Sequence, residues 1–261
     1  MNTNLEGKNA LVCGSTQGIG KAAAIELALL GANVILMARN EMTLNDTVKI
    51  LAMPYQQKHS YLRADFDDTQ DVKQKITEFV KKNPVHILIN NTGGPPGGTI
   101  ADAKVEEFEK AFAQHLICNH ILAQAVLPGM MRAAFGRIIN VVSTSVKQPL
   151  YGLGVSNTIR GAVASWAKTM SYEVAKSGIT VNNVLPGATA TSRLHNIIEN
   201  KAEKRSLETE EISSEMLAEI PAGRFGDPQE IAALIAFLAT PAAAYITGQS
   251  IAVDGGRTMA F

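Results

Sequence analysis

Seven short runs of Val, Ile and Leu recur along the chain, and helical patterns separate them. The runs are NALVC (9–13), NVILM (33–37), SYLRA (60–64), VHILIN (85–90), RIINVV (137–142), ITVNNVL (179–185) and SIAVD (250–254). Strands that are apolar throughout, rather than alternating, fit a sheet buried on both faces. Between them, apolar residues recur at helical spacing, as in Ile25, Leu27, Leu29 and Leu30, or Val72, Ile76, Phe79 and Val80. Strand and helix in alternation predict an α/β domain, a doubly wound parallel sheet of about seven strands with helices on both faces.

The 261 residues, 46% of them hydrophobic, predict a single domain over 1–261. Lys plus Arg total 24 and Asp plus Glu total 24, so no net field recruits nucleic acid or an anionic membrane. Cys13 and Cys118 lie in apolar surroundings far apart in sequence, without metal-ligand spacing, which predicts a reduced, cytoplasmic protein with no metal. No signal peptide pattern opens the chain, and no apolar stretch reaches the length of a membrane span. One segment departs from the average: 11 of the 27 residues from Arg193 to Glu219 are charged, with Leu194, Ile197, Ile198, Met216 and Leu217 interspersed. A solvated helical excursion and a mobile substrate lid near 193–220 both fit it, and its place after a strand's C-terminal end favours the lid.

The first run leads into CGSTQGIGK, with Gly14, Gly18 and Gly20 in the turn and an alanine-rich helical pattern behind them. Glycine permits positive φ and close approach of a diphosphate to main-chain N–H groups, and the following helix presents its positive end. The loop residues Gly14, Ser15, Thr16, Gln17, Gly18, Ile19 and Gly20 are therefore candidate dinucleotide contacts. At the end of the second run, Arg39 offers a cation to a ribose 2′-phosphate, and its neighbour Ala38 offers no carboxylate to repel one. That favours NADP over NAD.

The spacing Gly-x-x-x-Gly-x-Gly resembles the short-chain dehydrogenase/reductase family, whose fold is of the Rossmann type. So do NNTG (90–93), LPGATAT (185–191) and the long segment from Gly223 to Gly256. The resemblance spans nearly the whole chain and is nearest to a divergent subgroup similar to bacterial 3-oxoacyl-acyl-carrier-protein reductases. It implies further cofactor contacts at Asp65, Phe66, Asn90, Gly93, Pro186, Gly187, Thr189 and Thr191. Asp65, matched to the family's adenine-contacting aspartate, serves equally as a cap for the next helix. A homo-oligomer, dimer or tetramer, is implied as well, through the helix spanning 156–177, where Ala162, Ala164, Trp166 and Ala167 suit helix contact or monomer packing.

The same resemblance exposes a substituted catalytic tetrad. In the family a tyrosine gives its proton to a carbonyl oxygen, a lysine four residues on lowers the tyrosine's pKa and holds the ribose, and a serine orients the carbonyl. Here the tyrosine and lysine positions fall on Ser156 and Arg160, the serine on Ser143, and the tetrad's asparagine on His115. By helical geometry Ser156 and Arg160 flank the apolar stripe Ile159, Val163, Trp166 and Met170. Arg160 either binds the cofactor's ribose hydroxyls or lays its stem on apolar surface with its head in water. Serine is a far weaker acid than a phenol, so the proton comes from Tyr151, from His115, whose ordinary pKa suits relay near neutrality, or from water. The chain is thus expected to be an NADP-dependent oxidoreductase acting on a small-molecule carbonyl, with a non-catalytic nucleotide sensor or assembly partner of an active reductase as the alternative.

Overall fold

Each apolar run forms a strand, and all seven join one parallel sheet: β1 (Asn9–Cys13), β2 (Asn33–Ala38), β3 (Ser60–Arg63), β4 (Ile87–Asn90), β5 (Gly136–Val141), β6 (Ile179–Pro186) and β7 (Ser250–Val253). The computed structural model describes residues 1–260; Phe261, the last residue of the expected domain, lies outside the described residues. The strand order is β3-β2-β1-β4-β5-β6-β7. From β1 the chain winds outward to β2 and β3, and from β4 it winds the other way. The carboxyl ends of β1 and β4 therefore part and leave a crevice between them.

Nine helices cover the sheet among the described residues: α1 (Gly18–Leu29), α2 (Glu41–Lys49), α3 (Thr69–Val80), α4 (Val105–Phe112), α5 (Cys118–Arg132), α6 (Gly154–Val174), α7 (Ser192–Arg205), α8 (Thr209–Ala218) and α9 (Pro228–Ala239). Strand side chains alternate between faces, so the core is double. Val12, Leu36, Ile89 and Val184 pack with Leu27 of α1 and with Ile235 and Leu238 of α9. Leu11, Leu88, Ile138 and Val181 pack with Ile76 of α3, Leu122 of α5 and Met170 of α6.

Details differ from the periodicity reading. Leu29, expected on the buried stripe of α1, is 49% exposed, because α1 approaches the sheet through Ala23, Ala24, Leu27 and Ala28. Ala164 and Ala167 on α6 are buried within the protomer, where they admit close packing on the sheet instead of serving an outer contact. Trp166 is half-buried, its indole N–H donating to His120 Nδ1 at 3.3 Å. No helix of the described residues is long and apolar enough to cross a membrane.

Across β4 to β7 runs a feature that strand periodicity conceals. Asn90 Nδ2 donates to Asn140 Oδ1 at 2.9 Å, Asn140 Nδ2 to Asn183 Oδ1 at 3.0 Å, and Asn183 Nδ2 to Ser250 Oγ at 3.1 Å. These residues are register partners on adjacent strands, so one side-chain chain of hydrogen bonds lies along the sheet. Each amide is almost fully buried, and these bonds leave only Asn90 Oδ1 without a partner among the described residues. Asn140→Ala orphans one donor and one acceptor at once, and it should destabilise the fold by about 3 kcal/mol. The check is a fall in the urea midpoint at unchanged m-value.

Candidate active site

Helix α1 begins at the crevice. Its N-cap, Gln17, is extended at φ −156° and its side chain makes no capping bond, so the first-turn N–H groups face outward without a side-chain acceptor. The loop before it holds Gly14 at φ +56° and Gly18 at φ +52°. A Cβ on Gly20 would lie 2.2 Å from the Gly14 carbonyl oxygen and 2.6 Å from Asn91 Nδ2, so only glycine closes this turn. Asn91 fixes it from the far side of the crevice, donating from Nδ2 to the carbonyls of Cys13 at 3.3 Å and Gly14 at 3.2 Å. Sequence reading passed over Asn91, although its place directly after Asn90 in NNTG was the available signal.

A cleft of about 740 Å³ opens here, lined by Thr16, Gln17, Ile19, Arg39, Asp65, Phe66, Gly93 and Thr191 among others. The uncapped helix end and this volume fit a dinucleotide. The exposed Arg39 stands on the rim, its own carbonyl accepting from Arg63 Nε at 3.1 Å. Asp65 does not cap α3. Its Oδ1 accepts from Asp67 N at 3.0 Å, and Asp68 caps the helix instead, accepting from Gln70 N and Asp71 N.

Several expected contacts are turned elsewhere. Ser15 is fully buried, and its hydroxyl accepts from Met37 N at 3.1 Å, tying the loop to β2. The Asn90 side chain belongs to the asparagine chain across the sheet. Pro186 ends β6, and Gly187 packs so closely on Asp254 that a Cβ would lie 2.7 Å from its Cα. Thr189, buried, donates to the Gly187 carbonyl at 3.1 Å, while Thr191 lines the cleft and caps α7 by accepting from Leu194 N.

Of the four positions matched to a catalytic tetrad, Ser143 and Arg160 lie at the end of β5. Ser143 follows that strand and accepts from Ser145 N at 3.1 Å, and Ser156, on the first turn of α6, is buried. Arg160 is only 9% exposed, and its Nη1 donates to the Val141 carbonyl at 3.0 Å. The head-in-water alternative is therefore overturned. Tyr151 is 93% exposed on the turn before α6, so the phenol is not brought to the site.

His115 lies on a π-helical turn, Ala113–Ile117, wedged between α4 and α5. The residue that such a turn inserts shifts the helix register and carries the imidazole inward. Its Nδ1 lies 2.6 Å from Thr92 Oγ1, it is 1% exposed, and among the described residues its Nε2 has no partner. Burial, reinforced by the charges of Arg160 and Arg193, pushes its pKa down to about 2. The expectation of a relay near neutrality is corrected: at pH 7 this imidazole is neutral, a hydrogen-bonding group rather than an acid.

Arg193, at the start of α7, was legible only as one charge among many. It is half-buried, lines the cleft, and donates from Nη1 to the Gly94 carbonyl and from Nη2 to the Pro95 carbonyl, both at 2.9 Å. It ties the segment 193–220 to the loop after β4. That segment has its own small core, in which Leu194, Ile198 and Ala202 of α7 meet Ile212 and Met216 of α8.

His115 also sets a pH dependence of stability. Between its ordinary 6.5 and about 2, the unfolded chain binds a proton that the native imidazole refuses. Stability therefore falls as pH drops below the unfolded value, by about 1.4 kcal/mol per pH unit from this group. In His115→Asn, the slope of unfolding free energy against pH below 6 should lose about one proton, whatever its offset.

The model of the family described as enoyl-(acyl carrier protein) reductase matches residues 14–258. The chain is 38% identical to 3-oxoacyl-(acyl-carrier-protein) reductase of Vibrio cholerae, over 98% of this chain and 99% of that protein. It is 32% identical to an NADPH-dependent reductase of Bacillus subtilis, over 95% of this chain and 97% of that protein. Among solved structures it superposes on L-sorbose reductase from Gluconobacter frateurii, complexed with NADPH and L-sorbose, with a TM-score of 0.92 at 27% identity, each chain covered in full (100%).

Proposed function

The chain belongs to the short-chain dehydrogenase/reductase family, on the branch that the enoyl-(acyl carrier protein) reductase model describes, and from that premise we propose that it is an NADP-dependent reductase of activated carbonyl compounds. The substrate class is a 3-oxoacyl thioester or a ketone of similar electrophilicity. The observation that supports this reading best is the buried Arg160 guanidinium, held on the Val141 carbonyl at the strand end from which Ser143 departs. Hydride addition puts negative charge on the substrate oxygen, and preorganised donors in a dry site stabilise it. Ser143 is the donor at that oxygen. Arg160 supplies a fixed positive charge beside it, and Ser156, with neutral His115 anchored on Thr92, completes the polar wall.

Bound NADPH supplies the hydride. The uncapped end of α1 receives its diphosphate and Arg39 its 2′-phosphate; the NADPH named with two of the relatives agrees with that choice. With Tyr151 exposed and His115 neutral, the proton reaches the product oxygen from water, and an activated carbonyl tolerates such weak acid assistance. Segment 193–220 acts as a lid over the substrate, latched through Arg193. The protein works as a homo-oligomer in the reducing cytoplasm, where Cys13 and Cys118, both free and buried, stay thiols.

The second reading, a nucleotide-binding sensor or assembly partner, draws on the exposure of Tyr151 and the depressed pKa of His115. Purified protein mixed with NADPH and a panel of acetoacetyl thioesters, diketones and quinones separates the two. Substrate-dependent loss of NADPH absorbance supports the reductase, and binding without oxidation across the panel selects the sensor. Two variants refine the result. Ser143→Ala should lower kcat at least about a hundredfold, as removal of an oxyanion donor does, and full turnover would remove Ser143 from the mechanism. Arg39→Ala should weaken NADPH binding about tenfold or more and leave NADH affinity in place, measured by fluorescence titration.

A further inference from the structure

Arg193 lines the cleft, and Arg160 is buried at the end of β5. Among the described residues, neither Arg160 nor Arg193 forms an ion pair with a carboxylate. Arg160 bonds one backbone carbonyl and Arg193 two, which leaves N–H groups on both without protein acceptors. The surroundings are tightly joined. The loop that carries Thr92, the partner of His115, also carries Gly94 and Pro95, the acceptors of Arg193. Helix α6, which carries Arg160, packs on the π-helical turn that carries His115. The imidazole Nε2 is buried and, among the described residues, unpartnered, and the charges of both arginines act on that ring. Arg193's charge adds to the burial that pushes Arg160's pKa down.

A buried cation, a half-buried one and an orphaned imidazole nitrogen are costly to assemble unless an anion completes them. We propose that Arg160 and Arg193 form an anion site that takes a carboxylate of the substrate, so that among activated carbonyl compounds the enzyme prefers those that also bear a free carboxylate over their neutral analogues. The planar forks suit a carboxylate in two-point contact, and neutral His115 adds a hydrogen bond without adding charge. Arg193 also belongs to the latch of segment 193–220, so carboxylate binding and closure over the substrate are one event. The inference rests on the reductase reading for the chemistry that the carboxylate accompanies. An anion could also arrive as the cofactor's diphosphate, and the uncapped end of α1 already receives that group.

The test uses 2-oxo-, 3-oxo- and 4-oxopentanoate against their methyl esters, titrated calorimetrically into NADP⁺-loaded protein. At least one acid should bind about tenfold or more tightly than its ester. Arg193→Met should erase that ratio and Arg193→Lys should restore part of it. A purely structural loss would weaken acid and ester alike, which would overturn the proposal. So would acids that bind no better than esters. If Arg193→Met weakens NADPH binding and leaves the acid-to-ester ratio in place, the anion is the cofactor's diphosphate and the proposal fails. NADPH oxidation is followed in the same samples: acid preference without oxidation supports the anion site and counts against the reductase, whereas oxidation without acid preference retains the reductase and removes the site.

Discussion

The structure depends on the parting of two parallel strands. Where β1 and β4 lie side by side, the chain leaves them in opposite directions, and no connection covers the gap at their carboxyl ends. A crevice floored by hydrogen-bonded backbone would be weak if its rims could drift. They cannot, because Asn91 after β4 reaches across to the carbonyls of Cys13 and Gly14, and Gly20 sits against the same carbonyl with no room for a side chain. The glycine loop, the start of α1 and the loop after β4 are joined by these contacts, and the cleft opens on their outer side.

Electrostatics around His115 follow from what the fold buries. Arg160 is a buried guanidinium and Arg193 a half-buried one, and the charges of both act on the imidazole. The same field, with burial, keeps His115 neutral. One arrangement thus accounts for a neutral imidazole beside two arginines that, among the described residues, form no ion pair.

Most of the scaffold was legible because buried parallel strands must be continuously apolar and glycine loops must precede helices at phosphate sites. Arg39, Asp65 and Thr191 line the cleft. The failures share one cause: a residue's type does not say which way its side chain turns. Ser15 turned inward to Met37, Asn90 joined its neighbours along the sheet, Tyr151 stayed in solvent, and Asp65 yielded the helix cap to Asp68. Helical periodicity misread Leu29 because alanines, which periodicity scarcely registers, make the closest contact of α1 with the sheet.

By itself the sequence determined the strand count, the doubly wound α/β class and the glycine turn between β1 and α1, since each depends on local pattern or spacing. Tertiary structure decided which polar groups share a desolvated space. The π-helical turn that delivers His115, the reach of Arg193 across the cleft to Gly94 and Pro95, and the asparagine chain from β4 to β7 join residues 23 to 99 positions apart. Burial sets the charge state of such groups, and burial is a property of the packed chain.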